Sequence, residues 1–375
     1  MRVLRTLSAA LEEAGDTEIC RRTLEYIFEY LHHNCYLLKC KDSKLELIKL
    51  QSSTSPPAAR KTLKHKLIKN PKTMRVMNCI IKPFKQSETK DYEQILNELE
   101  DIPDGIWILN LSDAMMLRKD RRIPWPILGE GSLPEKFHGP MLPILAGCGR
   151  EGFEDIAFPN YDDVRIVLGK DSIPEAELDW DKKDDKVVFR GSSTGCGIKP
   201  DTNMRLKVSQ LTFPWLDAGI TTITKTPKYD PVHGIGVINA EDVKKVPRMS
   251  FTEQSKHKFI LNIDGNISAF RLLTWMQTGS VIFNVKSDYY QWFDFKLEHR
   301  KNIINIKANL SDLEKQYNWC LKNDDKCKQI AKAGLELSKR LLTKKMIVGN
   351  IRFIMLENSK NGIFPVKQKN SPQTE

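Results

Sequence analysis

The chain reads as a two-domain α/β protein built on parallel sheet, and three observations lead there. The first is length. At 375 residues it exceeds what one core usually organises and suits two domains of ordinary size. The other two are segments in which an apolar strand runs through a glycine-bearing turn into a helix. Lys258 to Arg271 (KFILNIDGNISAFR) places a strand over 259–263, a turn at Gly265 and a helix opening near Ile267 or Ser268. That helix would carry Arg271 in its first turn, run to about Gln277, and be followed by a strand over 280–285. Lys186 to Gly195 (KVVFRGSSTG), followed by Thr202 to Leu206 (TNMRL), repeats the plan with a helix opening around Asn203 and Arg205 in its first turn. Strand, turn, helix and strand in succession are the pattern of a parallel sheet.

The elements follow in order. The opening is helical: Leu24, Ile27, Phe28 and Leu31 recur on one face, and Gly15 separates this helix from a shorter one before it. Residues 35–49 read as a hairpin around Lys41-Asp-Ser-Lys44, and 52–60, with Pro56-Pro57, as a loop. Alternation then begins, with a strand over 75–81, a helix over 92–99 and a buried strand over 105–111. Proline-rich loops occupy 124–143, and the acidic stretch 171–185 is a linker. Ser311-Asp-Leu-Glu314 has the pattern of a capping box opening a helix to about Lys322. Helices ending near Arg340 and spanning about 346–357 close the chain, and 367 onward reads as a disordered tail.

The two turns have a shared chemistry. A helix start exposes unpaired N–H groups and the positive end of its dipole, and so favours a phosphate. An arginine there adds a forked donor matched to phosphate oxygens. Ser192, Ser193 and Thr194 supply short hydroxyls beside accessible backbone. Two such units in one sheet could bring Arg205 and Arg271 onto one diphosphate. Asp113 lies just past the carboxyl end of the 105–111 strand, where open α/β sheets bind ligands, and could serve as a general base or as a turn residue.

Four stretches together resemble glycosyltransferase family 90, the protein O-glucosyltransferase and capsule-associated protein family. They are FRGSSTG with Arg205, KHKFILNIDGNISAFR, GSVIFNVKSDYYQWF and NLSDLEKQYNWCLKNDD, within a likeness covering roughly residues 77–340. The resemblance implies a GT-B fold: two Rossmann-like domains facing a cleft, a helical N-terminal segment and a C-terminal helix packing back. The expected divisions are 1–72 (helices and hairpin), 73–178 (acceptor side), 179–342 (donor side) and 343–375 (returning helix and tail). It implies inverting, metal-independent transfer of glucose or xylose from a UDP-sugar to a glycan or protein hydroxyl, with no cofactor. The family's base follows an apolar-Asn-apolar-x-Asp pattern that Asn110 and Asp113 match. Ser192, Arg205, Asn266, Ile267, Ser268 and Arg271 would hold the donor, with Asp155, Phe158 and Arg190 lining the cleft. The chain departs from the pattern where relatives have His-Tyr before Pro, since it has Asn302-Ile303 and then Asn305. Gly195-Cys-Gly197 also extends the first turn. Both changes bear on donor and acceptor identity. The contrasting expectation is a non-catalytic glycan- or nucleotide-binding protein that kept the fold.

Composition narrows the field. A hydrophobic fraction of 40% supports real cores, and no apolar run is long enough to span a membrane. The net charge of +11 comes from scattered residues, with a modest concentration over 60–72 and no interleaved aromatics, which argues against a nucleic-acid surface. No signal peptide or retention signal is visible, and the eight cysteines lack staple-like spacing, so the expectation is a cytoplasmic protein with reduced thiols. Gly147-Cys-Gly-Arg-Glu-Gly152 matches a dinucleotide fingerprint, but no helix pattern follows it. Asp179-Trp-Asp181 resembles a metal-binding Asp-x-Asp but lies in a charged linker. His32-His33 lacks partners at metal spacing. Tyr289, Tyr290, Trp292, Phe293 and Phe295 read mainly as core.

Overall fold

The computed structural model describes residues 2–30, 35–51, 75–76, 79–80, 86–124, 131–175, 179–225 and 228–359. His32-His33, the 52–60 loop, the basic 60–72 stretch and the tail lie outside these residues. Two α/β sheets face each other across a cleft, in the GT-B arrangement.

The first sheet is built from β1 (Val3–Leu4), β2 (Cys35–Lys41), β3 (Lys44–Leu50), β4 (Gly105–Asn110), β5 (Ile144–Ala146) and β7 (Ile156–Ala157), in the order β1-β3-β2-β4-β5-β7. It is mixed rather than wholly parallel: β2 runs antiparallel to both β3 and β4, and β4, β5 and β7 are mutually parallel. The opening is not only helical, because β1 pairs parallel with β3 before α1 (Leu7–Ala14) and α2 (Glu18–Tyr30). Gly15 ends α1 at φ 82°, a conformation glycine adopts without strain. The hairpin turns on Asp42 and Ser43, both at positive φ, and the Asp42 N–H donates to Asp104 (2.8 Å).

The second sheet is entirely parallel. It comprises β8 (Asp184–Ser192), β9 (Leu216–Thr222), β10 (His257–Asn262), β11 (Val281–Val285) and β13 (Ile304–Ile306), in the order β9-β8-β10-β11-β13. Its strands read as near-continuous apolar runs because helices cover both faces. β9 and β10 flank β8 on opposite sides, so the chain changes winding direction there. The carboxyl ends of β8 and β10 therefore border the crevice where α/β sheets take ligands. Those ends carry Ser192 and the turn that begins at Asp264.

Helices α3 (Gln86–Leu96) and α4 (Tyr161–Val167) belong to the first half. Helices α5 (Met204–Ser209), α6 (Leu272–Met276), α7 (Leu313–Leu321) and α8 (Asp324–Leu341) belong to the second. Asp324 and Asp325 at the start of α8, and Lys339 and Arg340 at its end, complement its dipole. The last helix, α9 (Lys344–Ser359), packs on α4 and α8, with Lys344 paired to Glu98 at 2.7 Å. The capping box expected at Ser311–Glu314 does not form. Asp312 occupies the N-cap of α7 with no side-chain cap, because its carboxylate accepts the Lys307 N–H instead (2.8 Å).

Two devices join the halves. Short strands β6 (Gly149–Arg150) and β12 (Tyr289–Tyr290) pair antiparallel across the cleft. Trp292 donates to Asp163 (2.8 Å) and Asn160 to Gln291 (3.1 Å), in a region buried from solvent. A small apolar cluster of Met115, Ala146, Cys148, Phe153 and Ile267 completes the junction.

Candidate active site

The first-domain side begins at the end of β4. Asn110 is fully buried, and its side chain folds back over the next four residues. Its Oδ1 accepts from the Ser112 N–H (2.9 Å) and hydroxyl (2.6 Å), and its Nδ2 donates to the Ala114 carbonyl (2.7 Å). Such Asx-type bonding fixes a turn without help from the sheet, and it leaves Asp113, half-buried, at the bend. The following residues are pinned by Asp155, whose carboxylate accepts the N–H groups of Met116 (2.8 Å) and Leu117 (2.9 Å). Burial pushes the Asp155 carboxyl up to about 7, and those N–H groups restrain the rise.

On the second-domain side α5 opens at Asn203, where the sequence expects it, and Asn203 caps it by accepting from the N–H groups of Arg205 and Leu206. Gly195 and Gly197 in the loop between β8 and α5 take positive φ (113° and 87°). The Arg205 guanidinium is occupied by the protein. It donates to the carbonyls of Asp264 (2.9 Å), Ser192 (3.2 Å) and Ile263 (2.8 Å), and to the Thr194 hydroxyl (2.7 Å). Arg205 therefore ties the end of β8 to the turn after β10. Lys228, also buried, secures the same loop through the carbonyls of Ser193 (2.6 Å) and Gly195 (3.1 Å). Nothing in the sequence singles out Lys228, whose partners are backbone oxygens more than 30 residues away.

The helix after β10 opens later than its sequence suggests. Asp264 accepts the Ala269 N–H (2.8 Å), and the Gly265 N–H donates to the Ile267 carbonyl (3.0 Å). These bonds hold 264–269 as an irregular turn, so α6 starts at Leu272 and Arg271 is its N-cap. Among the described residues the polar contact of Arg271 is one carbonyl, that of Arg190 (2.9 Å). Arg205 and Arg271 flank the ring of Phe189, each 6.0 Å from its centroid. Burial, with the nearby Arg271 charge, depresses Arg205 to about 9, and burial depresses Arg271 to about 10. Two cations thus stand side by side, one held by carbonyls and a hydroxyl and the other, half-buried, by a single carbonyl among the described residues, with no acidic side chain paired to either there.

Asn266 closes the gap between the halves. Its Oδ1 accepts the Gly195 N–H (3.1 Å) and its Nδ2 reaches Asp113 Oδ2 (3.4 Å). Asp113, the glycine loop and the turn carrying Arg271 thus form one cluster. Ser192 lies at its edge, 3.2 Å from the Thr194 hydroxyl. Ile267 turns its side chain into the inter-domain apolar cluster, which leaves only its backbone facing the turn.

Two of the three expected cleft-lining side chains are placed differently. Phe158 is fully buried in the core against Tyr92, where the apolar packing of β7 draws it inward. Arg190 lies along the sheet, because its guanidinium pairs with Asp217 on the neighbouring strand (2.8 Å). Asp155 borders a cavity, but its carboxylate is committed to the backbone of 116–117. The glycines of the fingerprint-like motif have a steric role. A Cβ on Gly147 would lie 2.9 Å from the Phe270 ring, and one on Gly149 would lie 2.2 Å from that of Tyr290. Trp180 of the Asp-x-Asp stretch is buried and donates to Asp324 (3.0 Å), while Asp179 and Asp181 pair with Lys182 and Lys328. Among the described residues no group of three or more His, Cys, Asp or Glu is placed to hold a metal. No helix among them is long and apolar enough to cross a membrane.

Two cavities flank the Tyr290–Gln291 segment. The larger, about 900 Å³, is mainly apolar, and Phe295 and Phe353 stand at its rim. The smaller, about 470 Å³, lies at the carboxyl ends of β10, β11 and β13 and includes Ser268, Ile303 and Asn305. The walls of these two cavities do not include Asp113 or Arg271.

The fold and cluster define an α/β protein with two arginines beside a sheet switch point and a carboxylate brought to them from the other sheet. The chain belongs to glycosyl transferase family 90, whose model matches residues 114–368, beginning one residue after Asp113. An uncharacterized protein of Invertebrate iridescent virus 6 is 29% identical over 346 residues, covering 75% of this chain and 29% of that protein. Protein O-glucosyltransferase 3 of Homo sapiens is 27% identical over 251 residues, covering 64% of this chain and 44% of that protein. The chain thus spans less than half the length of these relatives. Among solved structures, Anabaena HepE in complex with UDP-glucose is 14% identical over 53% of each chain, at a TM-score of 0.30.

Proposed function

We propose that this chain transfers a sugar from a UDP-sugar to a hydroxyl group, with inversion at the anomeric carbon. One observation carries the proposal: Asn266 bridges Asp113 on one domain and the Gly195 loop on the other. A base and an anion site in one cluster are what such a transfer needs. Asp113 takes the proton of the acceptor hydroxyl as its oxygen attacks the anomeric carbon. The bond from that carbon to the diphosphate oxygen breaks, and UDP departs with the electron pair. Arg271 meets the charge growing on the diphosphate, assisted by Ser192 and by the backbone of 266–268. Arg205 holds the two turns in register and adds its positive field. Stabilising charge in a dry cleft is commonly the largest catalytic contribution, with one donor worth on the order of 3 kcal/mol. This arginine-based neutralisation asks for no metal.

Relatives named protein O-glucosyltransferase support glucose as the donor sugar, with xylose, which lacks one CH₂OH, as the competitor. The acceptor is a glycan or protein hydroxyl. Cys20, Cys35, Cys40, Cys148, Cys196, Cys320 and Cys327 are free thiols, in keeping with a reducing compartment such as the cytoplasm. The test is release of UDP from UDP-glucose and UDP-xylose by purified protein, with glycan and peptide acceptors added in turn. Acceptor-dependent release from one donor is the expected result. Tight UDP binding with no release under any pairing would instead make the chain a binding protein that kept the fold.

A further inference from the structure

Two phenylalanine rings stand out in water. Phe295, which the sequence reads as core, is 73% exposed, and Phe353 on α9 is 62% exposed. Tyr290, at 40%, is the third exposed aromatic among the described residues. All three line one cavity, the larger one of about 900 Å³. Single apolar side chains are ordinary on a protein surface, but three aromatic rings gathered around one mainly apolar cavity form a patch that marks an interaction site. Met346 extends it, because it lies seven residues before Phe353 on α9 and therefore on the same helix face, 37% exposed.

The surrounding side chains narrow the partner. Leu117, Leu142, Ile144, Phe153, Trp292 and Ile354 form the walls behind the rings, and such walls receive hydrocarbon and penalise a bare charge. The acidic groups of the cavity are turned to the protein: Glu154 pairs with Arg121 (2.8 Å), Asp155 accepts the N–H groups of 116 and 117, and Asp294 keeps Oδ1 buried. The lysines are turned to water. Exposed Lys119 lines the cavity, exposed Lys296 sets Nζ 4.7 Å from the centre of the Phe295 ring, and exposed Lys345 adjoins Met346. Exposed aromatic rings with lysines beside an apolar recess match the two layers of a bilayer surface, hydrocarbon below and anionic headgroups above. The net charge of +11 adds a general attraction to such a surface.

We infer that this face docks on a membrane carrying anionic lipids. Phe295, Phe353 and Tyr290 enter the headgroup layer, Lys119 and Lys296 meet lipid phosphates, and the cavity gives room to an acyl chain. Docking of this kind needs no sugar donor, so it stands or falls separately from the transferase reading.

The experiment is co-sedimentation of the full chain with vesicles of phosphatidylcholine alone, and of equal parts phosphatidylcholine and phosphatidylserine. The mixed vesicles should bind it and the neutral ones much more weakly, with binding reduced as salt is raised. Phe295→Ser and Phe353→Ser should each weaken binding about tenfold, and Lys296→Glu by about fivefold or more. The melting temperature of both Phe variants should stay at wild type, because each ring is already in water. Absence of binding to the mixed vesicles overturns the inference. So does unchanged binding by both Phe variants, which would move attachment elsewhere, for example to the basic 60–72 stretch. Sedimentation velocity covers the remaining occupant: a wild-type dimer that both Phe variants dissolve, without vesicle binding, would make this face a contact between copies and refute the membrane assignment.

Discussion

Asn110 and Arg271 do different work from neighbouring positions of the same cluster. Asn110 touches no proposed substrate, yet three hydrogen bonds from its side chain set the bend that carries Asp113. Asn110→Ala would release that bend, and a displacement of about 1 Å at a reacting group can cost on the order of 100-fold. Steady-state kinetics should therefore show kcat falling by about that factor, with KM for the donor little changed. Loss of donor affinity instead would place Asn110 in the binding surface. Arg271 has the opposite signature. Its guanidinium is partly buried and among the described residues makes one hydrogen bond, to a carbonyl, so its remaining donors can serve a diphosphate. Arg271→Ala should weaken UDP binding at least tenfold by calorimetry, since a charge-assisted bond contributes about 1.5–3 kcal/mol. Wild-type binding should persist in EDTA. A strict metal requirement would refute an arginine-based site and reopen Asp179 and Asp181.

At the scale of elements, β6 and the segment after β4 decide how the cleft is held. Tyr290 lies against the backbone at Gly149, where a Cβ would be only 2.2 Å away. Gly149→Ala must displace that ring and strain the pairing of β6 with β12. Chemical denaturation should register a loss of about 1–3 kcal/mol, and an unchanged midpoint would mean that the pairing yields freely. Asp155 provides a test by pH. Its folded-state pKa is raised to about 7 by burial, so the native state binds a proton more tightly than the unfolded chain. The associated stability is present below the unfolded pKa of about 4 and is lost as pH rises through about 7. Melting curves of Asp155→Asn should therefore decline less steeply over that window than wild type, and parallel curves would contradict the assignment.

These elements also mark how far the sequence could be read. The second sheet was legible because its strands are apolar runs ended by glycine-bearing turns, and so was the opening of α5 around Asn203. The position of Asp113 past the end of β4 was legible because 105–111 reads as one apolar run, which left base and turn residue as the two readings of its carboxylate. The start of α6 was not, because Asp264 diverts the Ala269 N–H from helical pairing. The posture of Arg205 was hidden because its partners are carbonyls 13, 58 and 59 residues away along the chain. Gly147 and Gly149 imitate a nucleotide motif, while the contacts that exclude side chains there come from Phe270 and Tyr290. Parity of direction in the first sheet was likewise beyond a local pattern, since β1 finds β3 across two helices.

For the whole molecule, the account divides the labour between two halves: the second sheet binds UDP, and the first supplies the base. Donor binding and transfer should then be separable by one substitution. Asp113→Asn keeps the side chain's size and its place beside Asn266 but removes the capacity to take a proton. General bases typically contribute about 100- to 10,000-fold. The decisive measurement is acceptor-dependent UDP release by Asp113→Asn at donor concentrations matched to its measured UDP affinity. The account predicts wild-type affinity with transfer reduced within that range. An Asp113→Asn protein that transfers sugar at the wild-type rate would contradict it and reduce Asp113 to a turn residue.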